Sequence, residues 1–263
     1  MHPIAFQFGP FTVHWYGVMM ALAFSAGLWT ASRRGQRDNV APEKIIDLGP
    51  WLIVGTIVGA RTLYVITFWN DQFAGRPIAE IFKVWRGGLV FYGGLLGATL
   101  AGVIYVRLKK LPLWKVADIV SPSIALGYVF GRVGCLLNGC CYGRECHLPW
   151  AIRFPEGHET HPLGMPATPV HPTEIYDSLL NLGLYAGLAW LYRRKKFDGQ
   201  VFSAYLVCYA LLRSFVEMFR GDYPQYQRYL GGWATPAQLV SIGILAAGLL
   251  LLWMLPRQMQ ESR

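Results

Sequence analysis

Three arginines interrupt long apolar runs: Arg61, Arg132 and Arg213. A cation at hydrocarbon depth costs about 2.5–3.5 kcal/mol even on lenient insertion scales, so it persists only with a partner or a task. Guanidinium stays charged in any surroundings and matches phosphate oxygens with a two-pronged fork. Three of them in one chain point to a site for something anionic. Two have a structural reading as well. Arg213 and Glu217 stand i,i+4, with Arg220 close behind, which suits an ion pair along one helix face. Asp118 or Asp177 is expected to neutralise Arg61. Arg132 differs, because no acid lies one turn away in either direction. It sits in Gly131-Arg132-Val133-Gly134-Cys135-Leu136-Leu137-Asn138-Gly139-Cys140-Cys141-Tyr142-Gly143, where glycines expose the backbone around it.

Other reactive side chains gather where apolar runs begin. His14-Trp15-Tyr16-Gly17 opens the first run, and Gly87-Gly88-Leu89-Val90-Phe91-Tyr92-Gly93-Gly94 opens the third. His171-Pro172-Thr173-Glu174 opens the fifth, and Tyr209 precedes Arg213 by one helical turn. An aromatic belt at the membrane surface accounts for Trp15, Trp69 and Trp85, but less well for His14, His171 and Glu174. Cys135, Cys140, Cys141, Cys146 and His147 form Cys-x4-Cys-Cys-x4-Cys-His, a looser spacing than ordinary zinc motifs. A metal, a disulfide and free small side chains all stay open for these cysteines, whereas Cys208 reads as a core residue.

The elements that position these groups follow from composition. The chain has 263 residues, 54% hydrophobic and only 15% charged, against roughly a quarter charged in soluble domains. A spanning helix needs about 20 mostly apolar residues. Seven runs qualify: 14–31, 48–69, 87–106, 116–137, 175–192, 200–218 and 236–255. The fold class is therefore an all-α, polytopic membrane protein with seven transmembrane helices. Residues 1–13 lack a basic n-region, so no cleavable signal peptide is expected.

The net charge is +9, and its distribution sets orientation. With the N-terminus outside, 14 of the 24 basic residues fall on inside segments and 7 outside, the latter including Arg76, Arg144, Arg220 and Arg228. The positive-inside rule favours N-out, C-in. The basic excess is spread over short loops, which suits anionic headgroups and excludes a nucleic-acid face. One membrane domain, 1–263, is expected, without repeats or a soluble appendage. Its outside connections are the longer ones. Segment 78–85 suits a short helix along the interface, and 139–172 is rich in Pro and Gly and should form a small irregular head. Glycines at 55 and 59, at 93, 94, 97 and 102, and at 127 and 131 make small-xxx-small patterns for close helix packing.

In this order the motifs resemble the prolipoprotein diacylglyceryl transferases of bacterial inner membranes. The resemblance covers almost the whole chain. It runs through His14-Trp15-Tyr16-Gly17, Gly59-Ala60-Arg61, Gly87-Gly88-Leu89 with Gly93-Gly94, and the 131–143 signature. It continues in Pro149-Trp150-Ala151-Ile152-Arg153-Phe154-Pro155, His171-Pro172-Thr173 and Tyr209-Ala210-Leu211-Leu212-Arg213 with Glu217 and Arg220. It implies a transferase of lipoprotein biosynthesis in the cell inner membrane. The donor would be phosphatidylglycerol and the acceptor the lipobox cysteine of preprolipoprotein signal peptides, giving a thioether and glycerol phosphate. No cofactor is implied.

Residue by residue, the resemblance places Tyr16, Arg132, Asn138, Tyr209, Arg213, Glu217 and Arg220 at or near the lipid site, and Arg61 is added to the binding set. Arg132 and Arg213 would hold the phosphate, and Tyr16 and Tyr209 the headgroup or ester oxygens. Two departures stand out. Tyr92 replaces a histidine that many members carry before the paired glycines. Histidine titrates near 6.5 and tyrosine near 10, so Tyr92 is a poor base. It is expected to position substrate instead, with His14 and His171 as substitute bases. Cys135 and Cys140 stand where the typical signature has an amide and an acid. Other readings are a noncatalytic phosphatidylglycerol-binding paralogue, a transferase with another acceptor, and an anion transporter. The last lacks the repeated halves and paired broken helices of such folds.

Overall fold

The structure is a computed structural model, and it describes residues 3–9, 11–221 and 235–261. Arg228 and Arg263, counted in the charge distribution, lie outside the described residues. Seven α-helices of 18 residues or more dominate the described residues. They are α1 (Trp15–Arg37), α2 (Pro42–Thr67), α3 (Phe91–Leu108), α4 (Leu113–Asn138), α5 (Thr173–Tyr192), α6 (Gln200–Glu217) and α7 (Pro236–Glu261). Each covers one of the seven apolar runs, with ends displaced by a few residues. Of these, α2, α3, α4 and the 22-residue stretch of α7 to Arg257 are long and apolar enough to cross a membrane. Large apolar side chains such as Val58, Leu96, Leu100 and Ile242 stay exposed along these helices, the surface a lipid phase would cover.

One element departs from an all-helical chain. Strands β1 (Ile4–Phe8) and β2 (Phe11–His14) pair antiparallel, with Phe6 opposite Val13 and Phe8 opposite Phe11. Alternating apolar residues around Gly9-Pro10 are the period-2 signal of a hairpin. The first helix accordingly starts at Trp15, and His14 ends the ribbon.

The chain divides into two compact units. One holds 1–31 and 117–263, and the other 32–116. In the smaller unit α2 packs along α3, and glycine makes the approach possible. A Cβ at Gly55 would lie 2.6 Å from the Gly97 carbonyl oxygen, closer than real contacts allow. The Tyr105 hydroxyl donates to the Lys44 carbonyl at 2.7 Å and fastens the same pair further along. Between these helices a π turn forms at Trp69–Phe73, and the segment 78–85, expected as one short interfacial helix, is broken into 3-10 turns at Ile78–Phe82 and Val84–Arg86.

In the larger unit α6 packs on both α5 and α7. The cap of α6 comes from α4. Asp118, fully buried, accepts the Gly199 and Phe202 amides at 2.9 Å each and pairs with Lys195 at 3.5 Å. A carboxylate there satisfies orphan donors and the positive helix end together. Asp118 is thus committed to α6 rather than to Arg61. The α1–α4 contact is tightest at Gly134, where a Cβ would meet the Tyr16 ring at 3.1 Å and Met19 at 3.2 Å. Of the expected 127–131 packing pair, Gly127 faces α1, where a Cβ would meet Ala23 at 3.9 Å, while Gly131 has nothing within 4 Å.

The head between α4 and α5 is irregular, stitched by isolated bridges at Gly143–Arg220, Glu145–Val170 and Ile152–Val170. Its small core is Phe154, stacked on His158 at 4.1 Å, while His158 Nε2 holds the Gly139 carbonyl at 2.7 Å.

Candidate active site

The site in the larger unit is built where α4 ends, α5 begins and α6 ends. Arg132, nearly two turns before the end of α4, keeps only 9% of its surface exposed. Its Nε lies 3.0 Å from Asp177 Oδ2 on α5, an ion pair without full hydrogen-bond alignment. Its Nη2 donates to the Tyr128 hydroxyl at 2.6 Å, and the guanidinium lies over that ring. Nη1 is outside both contacts. Asp177, the expected partner of Arg61, thus serves Arg132. The acid missing from α4 comes from a neighbouring helix.

Arg213 and Glu217 form the i,i+4 pair that their spacing announces, at 2.6 Å. Arg213 Nη1 is buried and carries no hydrogen bond among the described residues. Asp177 feels the fields of Arg132, Arg213, Arg220 and Glu217, so these groups share one electrostatic neighbourhood. Tyr209 belongs to it as well, through Tyr128, Arg213, Arg132 and Asp177, and its ring meets Tyr128 edge-on at 5.8 Å. Glu174, one turn before Asp177, is fully buried with neither carboxyl oxygen hydrogen-bonded among the described residues. Three arginines and three acids thus share one buried neighbourhood with opposing charges, and several of their polar atoms carry no hydrogen bond among the described residues.

Beside this cluster opens a cavity of about 520 Å³ lined by His14, Tyr16, Gly17, Cys135, Asn138, Cys140 and Cys141. Its floor is a helix-ending turn. Gly139 takes φ +75°, its amide reaches the Leu136 carbonyl, and the Cys140 amide reaches the Cys135 carbonyl at 3.1 Å. That is a Schellman closure with glycine at the left-handed position. It folds Cys140 back over Cys135. Cys141 follows at φ +70°, a left-handed conformation that costs a non-glycine residue about 1–3 kcal/mol. Thr173, at the start of α5, holds the Cys141 carbonyl at 2.7 Å. The Cys141 thiol is held below the ordinary cysteine range, first by hydrogen bonds from the Cys135 and Cys140 thiols, against the cost of burial. The positive fields of Arg220 and Arg132 add to the effect. Tyr16 links cavity and cluster, since it interacts with all three cysteines and with Arg132.

Gly143 closes the frame. Its amide donates to the His171 carbonyl at 2.9 Å, and a Cβ there would lie 2.7 Å from that oxygen and 2.8 Å from the Phe219 carbonyl oxygen. Three backbone segments cross at one point, where only glycine fits.

With this geometry in view, the comparison with known proteins is direct. The profile of the prolipoprotein diacylglyceryl transferase family matches residues 3–254. The chain belongs to that family. The phosphatidylglycerol–prolipoprotein diacylglyceryl transferase of Synechococcus elongatus is 37% identical over 95% of this chain and 86% of its own length. Its namesakes in Nitratidesulfovibrio vulgaris and Gloeobacter violaceus are 34% and 35% identical, covering 95% and 97% of this chain and 92% and 93% of their own lengths.

Within this member of the transferase family, the remaining expected site residues divide. Arg61 belongs to the smaller unit and is spent on backbone. Its Nε and Nη2 donate to the Ile81 and Glu80 carbonyls at 2.7 and 2.8 Å, and Nη1 to those of Gly87 and Gly88 at 2.9 and 3.1 Å. Neutral carbonyls, not Asp118 or Asp177, compensate it, and few donors remain for a lipid phosphate. Tyr92 is exposed at the start of α3 in the same unit, its ring against Phe91. His171 supports the head, with Nδ1 3.2 Å from the Tyr176 hydroxyl and its ring against Phe219. Cys146 is buried in the head and His147 faces Glu145 at 3.9 Å, so both stand apart from the three-cysteine turn. The sequence reading missed Tyr128 and the role of Asp177. The Tyr-x3-Arg spacing on α4 signalled the first, whereas nothing local signals a pair 45 positions apart.

Proposed function

We propose that this chain transfers the diacylglyceryl group of phosphatidylglycerol to the lipobox cysteine thiol of preprolipoproteins and releases glycerol phosphate. The thiolate sulfur attacks the glyceryl carbon, the carbon–oxygen bond to phosphate breaks, and the electron pair leaves on the phosphate oxygen. That oxygen needs preorganised positive charge in a dry site, and one such donor is worth about 3–4 kcal/mol in known cases. The observation that carries the reading is Arg132, buried and oriented by Asp177 and Tyr128, with Nη1 outside both contacts. Arg213 and Arg220 supply the surrounding field, while Tyr209, Tyr16 and Asn138 are assigned to headgroup and ester oxygens. His14, beside the cavity, is the available base, and Tyr92 positions substrate.

The setting proposed is one transferase domain in the bacterial inner membrane, with seven spans, the N-terminus outside and the C-terminus inside. Support comes from the seven long helices and the bias of basic residues toward alternate connections. The test is reconstitution with phosphatidylglycerol labelled in its acyl chains and a lipobox peptide. Label on the peptide cysteine, with equimolar glycerol phosphate, is expected. Lipid binding without a thioether would instead favour a noncatalytic paralogue.

A further inference from the structure

The three-cysteine turn is more than the transfer of a diacylglyceryl group requires. Cys135, Cys140 and Cys141 place their sulfurs within 4.8 Å of one another. A tetrahedral zinc ion with Zn–S bonds of about 2.3 Å holds its sulfurs roughly 3.8 Å apart. The widest pair must therefore close by about 1 Å, within the reach of χ1 rotation. Backbone strain and capping already converge the thiols before any ion arrives, through Gly139 at φ +75°, Cys141 at φ +70°, and the Thr173 bond to the Cys141 carbonyl. All five cysteines are free. A disulfide would use two sulfurs of the trio and leave the third odd, whereas a thiophilic cation uses all three.

We propose that Cys135, Cys140 and Cys141 bind one Zn²⁺ through three thiolates, with a fourth position open to the 520 Å³ cavity. An all-sulfur donor set selects a soft, thiophilic ion over magnesium or calcium. Three thiolates and one Zn²⁺ leave a net negative charge, and the arginines that act on Cys141, Arg132 and Arg220, offset it. Three protein ligands and one open position are the pattern of catalytic rather than structural zinc.

The use of that position rests on the transfer reading. It would take the acceptor's cysteine. On coordination the acceptor thiol gives its proton to His14, which lines the same cavity, and zinc holds the resulting thiolate. The thiolate then forms its bond to the glyceryl carbon as the carbon–oxygen bond breaks and glycerol phosphate departs. The product thioether is a weaker ligand and leaves.

The experiment uses the full chain purified in detergent under reductant and loaded with Zn²⁺, then with Co²⁺. About one metal per chain is expected, together with the sulfur-to-cobalt charge-transfer absorption of thiolate ligands. Cys135→Ser and Cys140→Ser should each lower metal affinity by at least about tenfold, while Cys208→Ser keeps it. A lipobox peptide should shift the cobalt spectrum. Failure of the reduced wild-type chain to take up metal, metal uptake unchanged in both serine variants, or a disulfide within the trio in the native chain overturns the proposal. Metal uptake in a chain that transfers no lipid would leave the site standing and reject the transfer reading. Full transfer by a metal-stripped chain would reject the zinc.

Discussion

Arg61 and Arg132 are equally buried, at 9% exposure each, yet the smaller and larger units use them in opposite ways. Arg61 gives four hydrogen bonds to the carbonyls of Glu80, Ile81, Gly87 and Gly88 and so pins the connection between α2 and α3. Arg132 meets a carboxylate on α5 and a phenol one turn earlier on α4, with two more arginines in the same field. The first is a clasp whose donors are consumed. The second is a charge held in place, and that is what a leaving phosphate can use. Burial alone therefore does not mark a binding arginine; what its donors already hold does.

Substitutions at three positions sharpen the contrast. The largest effect is expected from Arg132→Lys. A lysine keeps the charge but cannot bridge Asp177 and Tyr128 with a planar fork, so transfer should fall by about a hundredfold in a steady-state assay. Asp177→Asn leaves Arg132 in place but frees its orientation. We expect about a tenfold loss in kcat, with KM for phosphatidylglycerol changed less. A larger change in KM than in kcat would make Asp177 part of lipid binding instead. The smallest effect belongs to the other unit. Tyr92→Phe should reduce transfer about fivefold, the worth of one hydrogen bond to substrate, and Tyr92→His should not restore more than that. Unchanged rates in both would remove Tyr92 from the reaction.

Much of this architecture was legible from the length of the apolar runs, because the helices are long and their flanks polar. The irregular head followed from its Pro and Gly content, and the Arg213–Glu217 pair from i,i+4 spacing. Three features were not legible for a common reason: they depend on contacts between segments distant in sequence. Asp177 finds Arg132 across α4 and α5. Asp118 caps α6 from α4. Gly143 is required because the His171 and Phe219 backbones press on it. The ribbon at 4–14 is different. Its alternation of Ile4, Phe6 and Phe8 is present in the sequence, but the segment is short and lies directly before the long apolar run of the first helix. The convergence of Cys135, Cys140 and Cys141 lies between these cases. Their spacing was visible, and only the left-handed turn at Gly139 shows that the spacing closes into a triad.

The most direct test compares Arg132→Ala with Arg61→Ala, each measured for thermal unfolding and for diacylglyceryl transfer per folded molecule. The account predicts that Arg132→Ala melts below wild type, because it leaves the buried Asp177 carboxylate without its partner, and that its folded fraction loses transfer by at least about 10²–10³-fold. Arg61→Ala should melt lower, since each carbonyl stripped of its donor costs about 1–3 kcal/mol, yet its folded fraction should turn over near the wild-type rate. Retained turnover in Arg132→Ala, or its loss in well-folded Arg61→Ala, would contradict the assignment of the phosphate to the larger unit's arginines.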